Sequence, residues 1–598
     1  MTMKQNNQEM ELEINTSFEI IQSKQNLPIM KVKGYLTNSK YDPKKEASKL
    51  AEQNYKKHHI HILLGSSCGY IAEQLSEKLC DEERLIIIEP NEKVLEQSQK
   101  IGMFNNIHSG RKVDFLTSTQ IEEIERKLAV ICQKYNNRIQ LIISPNFEKI
   151  YPIFTKTVVL SIKEALMLNV VDKNTWSFFV DDWQENFIKN LYVAFSSTPI
   201  NFLCNKFTYP VVIASGGPSL SKQLPLLKKY RRNVILLCAG TTINTLLQND
   251  IVPDAIVSID GSSANYNHFK DLQDLDVPLF YTITLHKDIL KAYKGPKIFF
   301  NNKNHLDVSE LTNKVIDKDI HEVIGGGSVA NYCLDITNQI TTGPICLIGQ
   351  DLAYTNNSTH AAGNKSKREI DLELIKSRKM FTVVGYDGEE VWTDYPLTSM
   401  KKGFEEYINY VNTLGESVDI YNCTEGGVII EGMEHTPFEQ FLIKNCHTPI
   451  PHSIKTLLKE INYNRSQKEW KRFYERIREE KFKNKKVINV SEEAVKILEK
   501  MDADSPFFQP SVNKKLSKLD KQLTRLLEDE FLLYLFGQVF KQVNHYYLEK
   551  ENETEEAAHL RIYQKSVALY KGILDAAEKA EQWYEDLLSD IKKELASE

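Results

Sequence analysis

The sequence predicts an α/β protein in three parts: a Rossmann-like domain over residues 1–185, an α/β domain over 186–435 and a helical bundle over 436–598. Three observations carry this. As far as Gly432, short apolar runs bounded by glycine turns alternate with helical stretches, which is how parallel strands covered on both faces read. Beyond that point glycine nearly disappears. Leucines then recur at helical spacing, as at Leu516, Leu519, Leu523 and Leu526, with mixed charges along the outer faces. At 598 residues the chain is also too long for one core.

Composition narrows the class. Hydrophobic residues at 41% and charged residues at 26% are ordinary for a globular protein. A net charge of -6 leaves no basic footprint, so nucleic acid is not an expected partner. Nine cysteines, an odd number without a CxxC pair, fit reduced thiols and neither a disulfide framework nor a zinc site. The start, MTMKQNNQEMELEINTSF, has no apolar stretch behind a basic end, and no run is long enough for a membrane span. The expectation is a cytoplasmic protein.

In the first part, the strand from Ile60 leads through Gly65-Ser66-Ser67-Cys68-Gly69 into a helix, and RLIIIEP follows with Glu89 at its end. Strand, glycine turn, helix and strand with a terminal acid outline a nucleotide-binding βαβ unit. Ser67 stands at the second glycine position of the dinucleotide fingerprint. The Gly-x-Ser-x-Gly spacing imitates a hydrolase nucleophile elbow, but too few strands precede it to build the sheet that elbow requires. The expectation is a structural unit without a live cofactor site.

The middle part holds the apolar runs VVIAS, VILLCAG, AIVSID, LFYTIT, KIFF and ICLIG. Ligands of such sheets sit beyond the carboxyl ends of the strands, so the polar residues there matter most. After VVIA come Ser215, Gly216, Gly217, Pro218 and Ser219. The glycines permit close approach, the following helix offers unpaired N–H groups, and Ser219 suits the N-cap. The alternative is a tight turn that needs glycine for geometry alone. Gly240, Thr241 and Asn244 follow VILLC, and Asp260 follows AIVSI. Gly325, Gly326, Gly327, Ser328 and Asn331 form the next turn, and Gln350, Asp351, Tyr354 and His360 follow ICLIG.

Five polar strand ends on one sheet edge make a binding cleft. Hydroxyls and backbone amides suit a phosphate, while Asn and Gln suit a base or sugar edge. GxxxxGK[ST] is absent, so this is no P-loop. Asp260 is open to three roles: holding Mg²⁺, accepting from a ribose hydroxyl, or capping its turn. His360 is either a general base at the cleft mouth or a solvated loop residue. The acids at Asp274 and Asp276 fall in a polar loop, and the leucine and aromatic stripes of the tail read as core.

SGGPSL from Ser215, AGTTINTLL from Ala239, PDAIVSID from Pro253, GGGSVANYCLDI from Gly325, GQDLAYT from Gly349 and NCTEGGVIIEG from Asn422 occur in order. Together they resemble the motility-associated factor (Maf) glycosyltransferases, whose central domain is labelled MptE-like after a 6-hydroxymethylpterin diphosphokinase. The resemblance implies a sialyltransferase-like central domain that moves a nonulosonic acid, pseudaminic or legionaminic in type, from its CMP donor to Ser or Thr of flagellin. It implies CMP binding at the Gly217-Pro218-Ser219 loop, whose counterpart in related sialyltransferases also reads Gly-Pro-Ser, and the other strand-end residues from Ser215 to Asn331 and Gln350 suit the same donor. Catalysis falls to His360, Asp351 and Tyr354, with no required cofactor and Mg²⁺ at Asp260 optional. Ser215 stands where related sialyltransferases show Asn or Gly. Two other classes compete: a pterin diphosphokinase using ATP and Mg²⁺, and a non-enzymatic flagellin-binding assembly factor.

Overall fold

The computed structural model describes residues 10, 12–80, 83–100, 104, 112–117, 121–135, 138–415, 419–501, 508–549 and 553–596. It divides into two compact units, 1–175 and 176–598.

In the first unit the strands Ile60–Leu64, Leu85–Ile88, Val113–Leu116 and Ile139–Ile143 pair in parallel. Their order is third, second, first, fourth, that of a Rossmann half. The first two strands are buried at every position, which is why they read as unbroken apolar runs. A second, antiparallel sheet of Phe18–Gln22, Pro28–Val32 and Tyr35–Leu36 has no counterpart among the expected elements.

The second unit is built on nine parallel strands: β1 Thr198–Pro199, β2 Val211–Ala214, β3 Ile235–Ala239, β4 Ala255–Ser258, β5 Leu279–Tyr281, β6 Lys297–Phe299, β7 Ile345–Ile348, β8 Ile420–Asn422 and β9 Glu434–His435. Their spatial order is β9-β8-β7-β2-β3-β4-β5-β6-β1. The chain winds outward from β2 to β6 and then returns to place β7 against β2, with Val211 opposite Ile345 and Ala214 opposite Ile348. The winding reverses between β2 and β7. Loops leaving these two strands therefore diverge and open a crevice.

Both faces of the sheet are covered. Val211 and Ile213 point into a core shared with the helices Val329–Ile340 and Tyr395–Thr413. Val212 and Ala214 point into another, shared with the helices Leu220–Tyr230, Thr242–Gln248 and Ser263–Phe269. The C-terminal helices join that second core. Gln467–Leu498, opened by a Ser466–Glu469 capping box, packs along Glu555–Ala596, and Trp470, Phe473, Tyr584 and Ile591 are buried there. Among the described residues no helix is long and apolar enough to cross a membrane.

Candidate functional site

The turn after β2 is shaped by the loop after β7. The Ser215 and Gly217 amides donate to the carbonyls of Ile348 and Gly349, both at 2.9 Å. A Cβ on Gly217 would lie 2.2 Å from Asp351 Oδ1 and 2.5 Å from the Gly349 carbonyl. Gly217 thus admits the chain's own neighbouring loop. Asp351, 1% exposed, accepts from the Ser219 amide at 3.1 Å, the Ser219 hydroxyl at 2.7 Å and the Thr355 hydroxyl at 2.6 Å. Burial raises its pKa while these donors pull it back.

The expected N-cap role of Ser219 is corrected here. Ser219 has helical backbone angles and gives its hydroxyl proton to Asp351, so the cap is the carboxylate from the loop after β7. An anion beside the first turn also complements the helix dipole. Ser215 Oγ donates to Gln350 Oε1 at 2.6 Å, and the Gln350 amide donates to Thr424 Oγ1 at 3.0 Å. The Pro218 carbonyl accepts from the Ser221 amide. The structure thus brings Ser215, Gly216, Gly217, Ser219, Gln350 and Asp351 together at the point where the winding reverses.

A loop following β7 folds over this turn. The Ala361 amide donates to the Gly216 carbonyl at 3.0 Å, and Ala362 donates to Ser221 Oγ at 3.2 Å. The loop carries His360 and Asn364 to Gly216. A Cβ there would meet Asn364 Nδ2 at 3.2 Å, Thr242 Oγ1 at 3.3 Å and His360 Cδ2 at 3.7 Å. Thr242 Oγ1 and Asn364 Nδ2 are buried and have no hydrogen-bond partner among the described residues. The same holds for Nδ1 of His268, whose Nε2 lies 3.3 Å from Ser366 Oγ. An unsatisfied buried polar group costs about 1–3 kcal/mol, so orphans beside this crevice ask for an explanation.

His360 is half-buried, with Nδ1 3.1 Å from Thr359 Oγ1. Burial, then the charges of Arg378 and His268, hold its imidazole below the ordinary histidine range. It is therefore neutral at pH 7, the form a general base requires. Tyr354 is differently placed. Its hydroxyl donates to Asp394 at 2.6 Å and accepts from Arg378 at 2.7 Å, and Arg378 also reaches Asp394 at 3.0 Å. Burial and Asp394 push the phenol pKa up, so it keeps its proton. Asp394 is fully buried and caps the helix Tyr395–Thr413 through Leu397. The Arg378 side chain remains 52% exposed.

The remaining expected residues stand farther out. Gly240 donates to the Val257 carbonyl, Thr241 makes no side-chain cap bond, and Asn244 reaches the His268 carbonyl at 3.4 Å. Asp260 is exposed and accepts from the Ser262 amide at 2.8 Å, capping its own turn. Among the described residues no group of three or more His, Cys, Asp or Glu side chains is arranged to hold a metal. The Gly325–Gly327 turn follows no strand of the nine-stranded sheet. It follows Glu322–Val323, which pairs only with Asn301–Asn302, so the five polar strand ends become four. Because the helix Val329–Ile340 leads back toward β7, its start still lies at the carboxyl edge. Gly326 packs on Asn331, whose Oδ1 accepts from the Ser328 amide and hydroxyl; Gly327 packs on Met400.

Arg378, Asn364 and His268 were not legible as site residues, because each comes from a polar helix or loop whose sequence carries no special spacing. Thr242 had one signal, its place in the turn after β3.

In the first unit the turn Gly65–Gly69 is closed by Glu89. Its Oε2 accepts from the Ser66 amide and hydroxyl, both at 2.9 Å. Burial pushes its pKa up to about 7. Ser67 is buried with φ +45°, in the left-handed region that favours glycine.

Residues 185–357 match the family model described as 6-hydroxymethylpterin diphosphokinase MptE-like. Over 99% of its length the chain superposes on 94% of a Maf glycosyltransferase from Magnetospirillum magneticum AMB-1, with a TM-score of 0.55 at 13% identity. No curated protein sequence matches it.

Proposed function

We propose that this chain, which carries an MptE-like domain within the fold of a Maf glycosyltransferase, is itself a glycosyltransferase with its donor site between β2 and β7. One observation supports this above the others: Thr242 and Asn364 direct orphaned polar atoms at the Gly216 turn, where a sheet of this winding takes its ligands. The donor is a CMP-activated nonulosonic acid, and the acceptor is a Ser or Thr hydroxyl of flagellin in the cytoplasm. The loop carrying His360 lifts to admit the donor, and the phosphate and cytidine edge then satisfy Thr242 and Asn364.

His360, neutral at working pH, takes the acceptor proton as the hydroxyl oxygen attacks the anomeric carbon. The bond from that carbon to the phosphate oxygen breaks, and CMP leaves with the electron pair. Arg378, half-exposed and oriented by Tyr354 and Asp394, holds the sugar carboxylate. Asp351 and Tyr354 position the loops and do not touch the reacting atoms. The step balances without a metal, and a rate that EDTA leaves unchanged is the expected outcome. Incubating the chain with CMP-sugar and flagellin tests the proposal: the acceptor gains the mass of one sugar acid per site.

The description of the matched family model favours a second reading, transfer of diphosphate from ATP to a pterin alcohol. It wins if ATP with Mg²⁺ raises the melting temperature strongly while CMP does nothing.

A further inference from the structure

The second unit holds a cavity of about 970 Å³ at the opposite edge of its sheet, beside β1 and β6. Four strand spacings separate β6 from β2, roughly 19 Å at ~4.8 Å per strand. The walls come from the end of the helix Pro152–Ser196, the helix Lys287–Ala292, the helix Ile454–Ile461 and the last helix, Glu555–Ala596.

Seven lysines line the cavity against three aspartates. Four of them have acidic partners. Lys189 pairs with Glu185 and Asp586, Lys287 with Glu185, Lys455 with Asp276 and Lys593 with Asp590. Lys291, Lys297 and Lys459 make no ion pair among the described residues. Lys297 is the informative one. It opens β6, and its ammonium donates to the Tyr293 carbonyl at 2.5 Å, a neutral partner. Burial without an acid beside it holds its pKa below the ordinary lysine range. A cation taken out of water without a counter-ion is costly, and the cost is offset when an anion joins it.

We propose that this cavity is a binding site for a multiply charged, phosphorylated small molecule, with Lys297 at its floor and Lys291 and Lys459 at its rim. Lysines converging from separate walls act as compact point charges suited to phosphate oxygens, and among the described residues no arginine fork lines the cavity. The volume is that of a site for a nucleotide-sized ligand. The site is independent of the donor crevice and does not rest on the glycosyltransferase reading.

The test is calorimetric titration of the full chain with sodium tripolyphosphate and, in a second arm, with metal-free ATP, which separates bare polyphosphate from a nucleotide. Lys297→Met, which keeps the length of the side chain and removes the charge, lowers affinity about tenfold or more. Its melting temperature without ligand stays close to wild type, because removing a buried charge without an ionic partner offsets the lost hydrogen bond to the Tyr293 carbonyl. Lys291→Glu and Lys459→Glu, both exposed, lower affinity without touching the fold, and added salt weakens binding in wild type. No heat with either ligand at millimolar concentration overturns the proposal, as does equal binding by wild type and Lys297→Met. Affinity for tripolyphosphate that falls in Thr242→Val and not in Lys297→Met also overturns it, since that places the anion in the crevice beside Gly216.

Discussion

Each unit sends an apolar parallel strand through a glycine turn into a helix, and the two turns differ in what they leave unsatisfied. At Gly65–Gly69 an acid from the end of the adjacent strand, Glu89, takes up the amide and hydroxyl of Ser66. At Ser215–Ser219 the acid after the adjacent strand, Asp351, does the same for Ser219. Neither turn is an open anion cradle. Around Gly216, Thr242 and Asn364 are buried without hydrogen-bond partners among the described residues, and a neutral histidine stands beside them. In the first unit, by contrast, a single buried hydroxyl near Glu89, that of Tyr151, is left in that state. A glycine turn therefore reports geometry in both units. At Gly216 the unsatisfied groups come from two separate segments and meet beside a histidine, and the proposed site rests on that convergence.

The largest expected effect is at His360. His360→Ala lowers turnover about 10²- to 10⁴-fold while the melting temperature barely moves, and an unchanged rate removes it from the mechanism. With its pKa held down, the acid limb of the wild-type rate profile falls below pH 6.5, the unperturbed value.

Gly217→Val comes next. Its added carbon meets the Asp351 carboxylate and the Gly349 backbone, so stability drops by about 3 kcal/mol in denaturant melts, the upper end for overpacking. A variant as stable as wild type would show that the β7 loop yields easily and that the crevice is softer than the first-unit turn.

Glu89 supplies a pH test confined to the first unit. Its carboxyl is protonated more readily when folded, at about 7, than at its ordinary 4.5. Between those values the folded state holds a proton that the unfolded state has lost. Stability is therefore greatest below pH 4.5 and declines as pH rises through about 7, by about 3 kcal/mol in all. Glu89→Gln flattens this slope, read by hydrogen exchange at Ile60–Leu64. A slope that persists in the variant means another group is responsible.

Smaller effects sharpen the contrast. Ser67→Gly relieves a left-handed serine and stabilises the first unit by about 1 kcal/mol. Thr242→Val removes an oxygen that has no partner, so stability changes by less than about 1 kcal/mol, yet the rise in melting temperature caused by CMP shrinks. Loss of stability with an unchanged CMP response would mean that Thr242 is structural.

Much of the architecture could be read from residues alone. VVIA and ICLI are apolar at every position because helices cover both faces of the sheet, and burial on two sides leaves no polar alternation to misread. That Ser215, Gln350 and Asp351 lie on one edge of the sheet followed from the rule that carboxyl ends of parallel strands share an edge. Local spacing also determined the helical tail, since its stripe is written every three or four residues. Only the tertiary structure decided that β7 lies against β2, because strand order is a long-range choice that no local pattern encodes. That choice put the Asp351 carboxylate on the Ser219 amide, where the residue-level reading had placed a serine cap. It left the Gly325 turn behind a two-residue ladder and brought Arg378, Asn364 and His268 in from segments with no motif. Apolar periodicity records burial, which each element carries in its own residues; a polar site records which distant loops meet, and that is settled only when the whole sheet has closed.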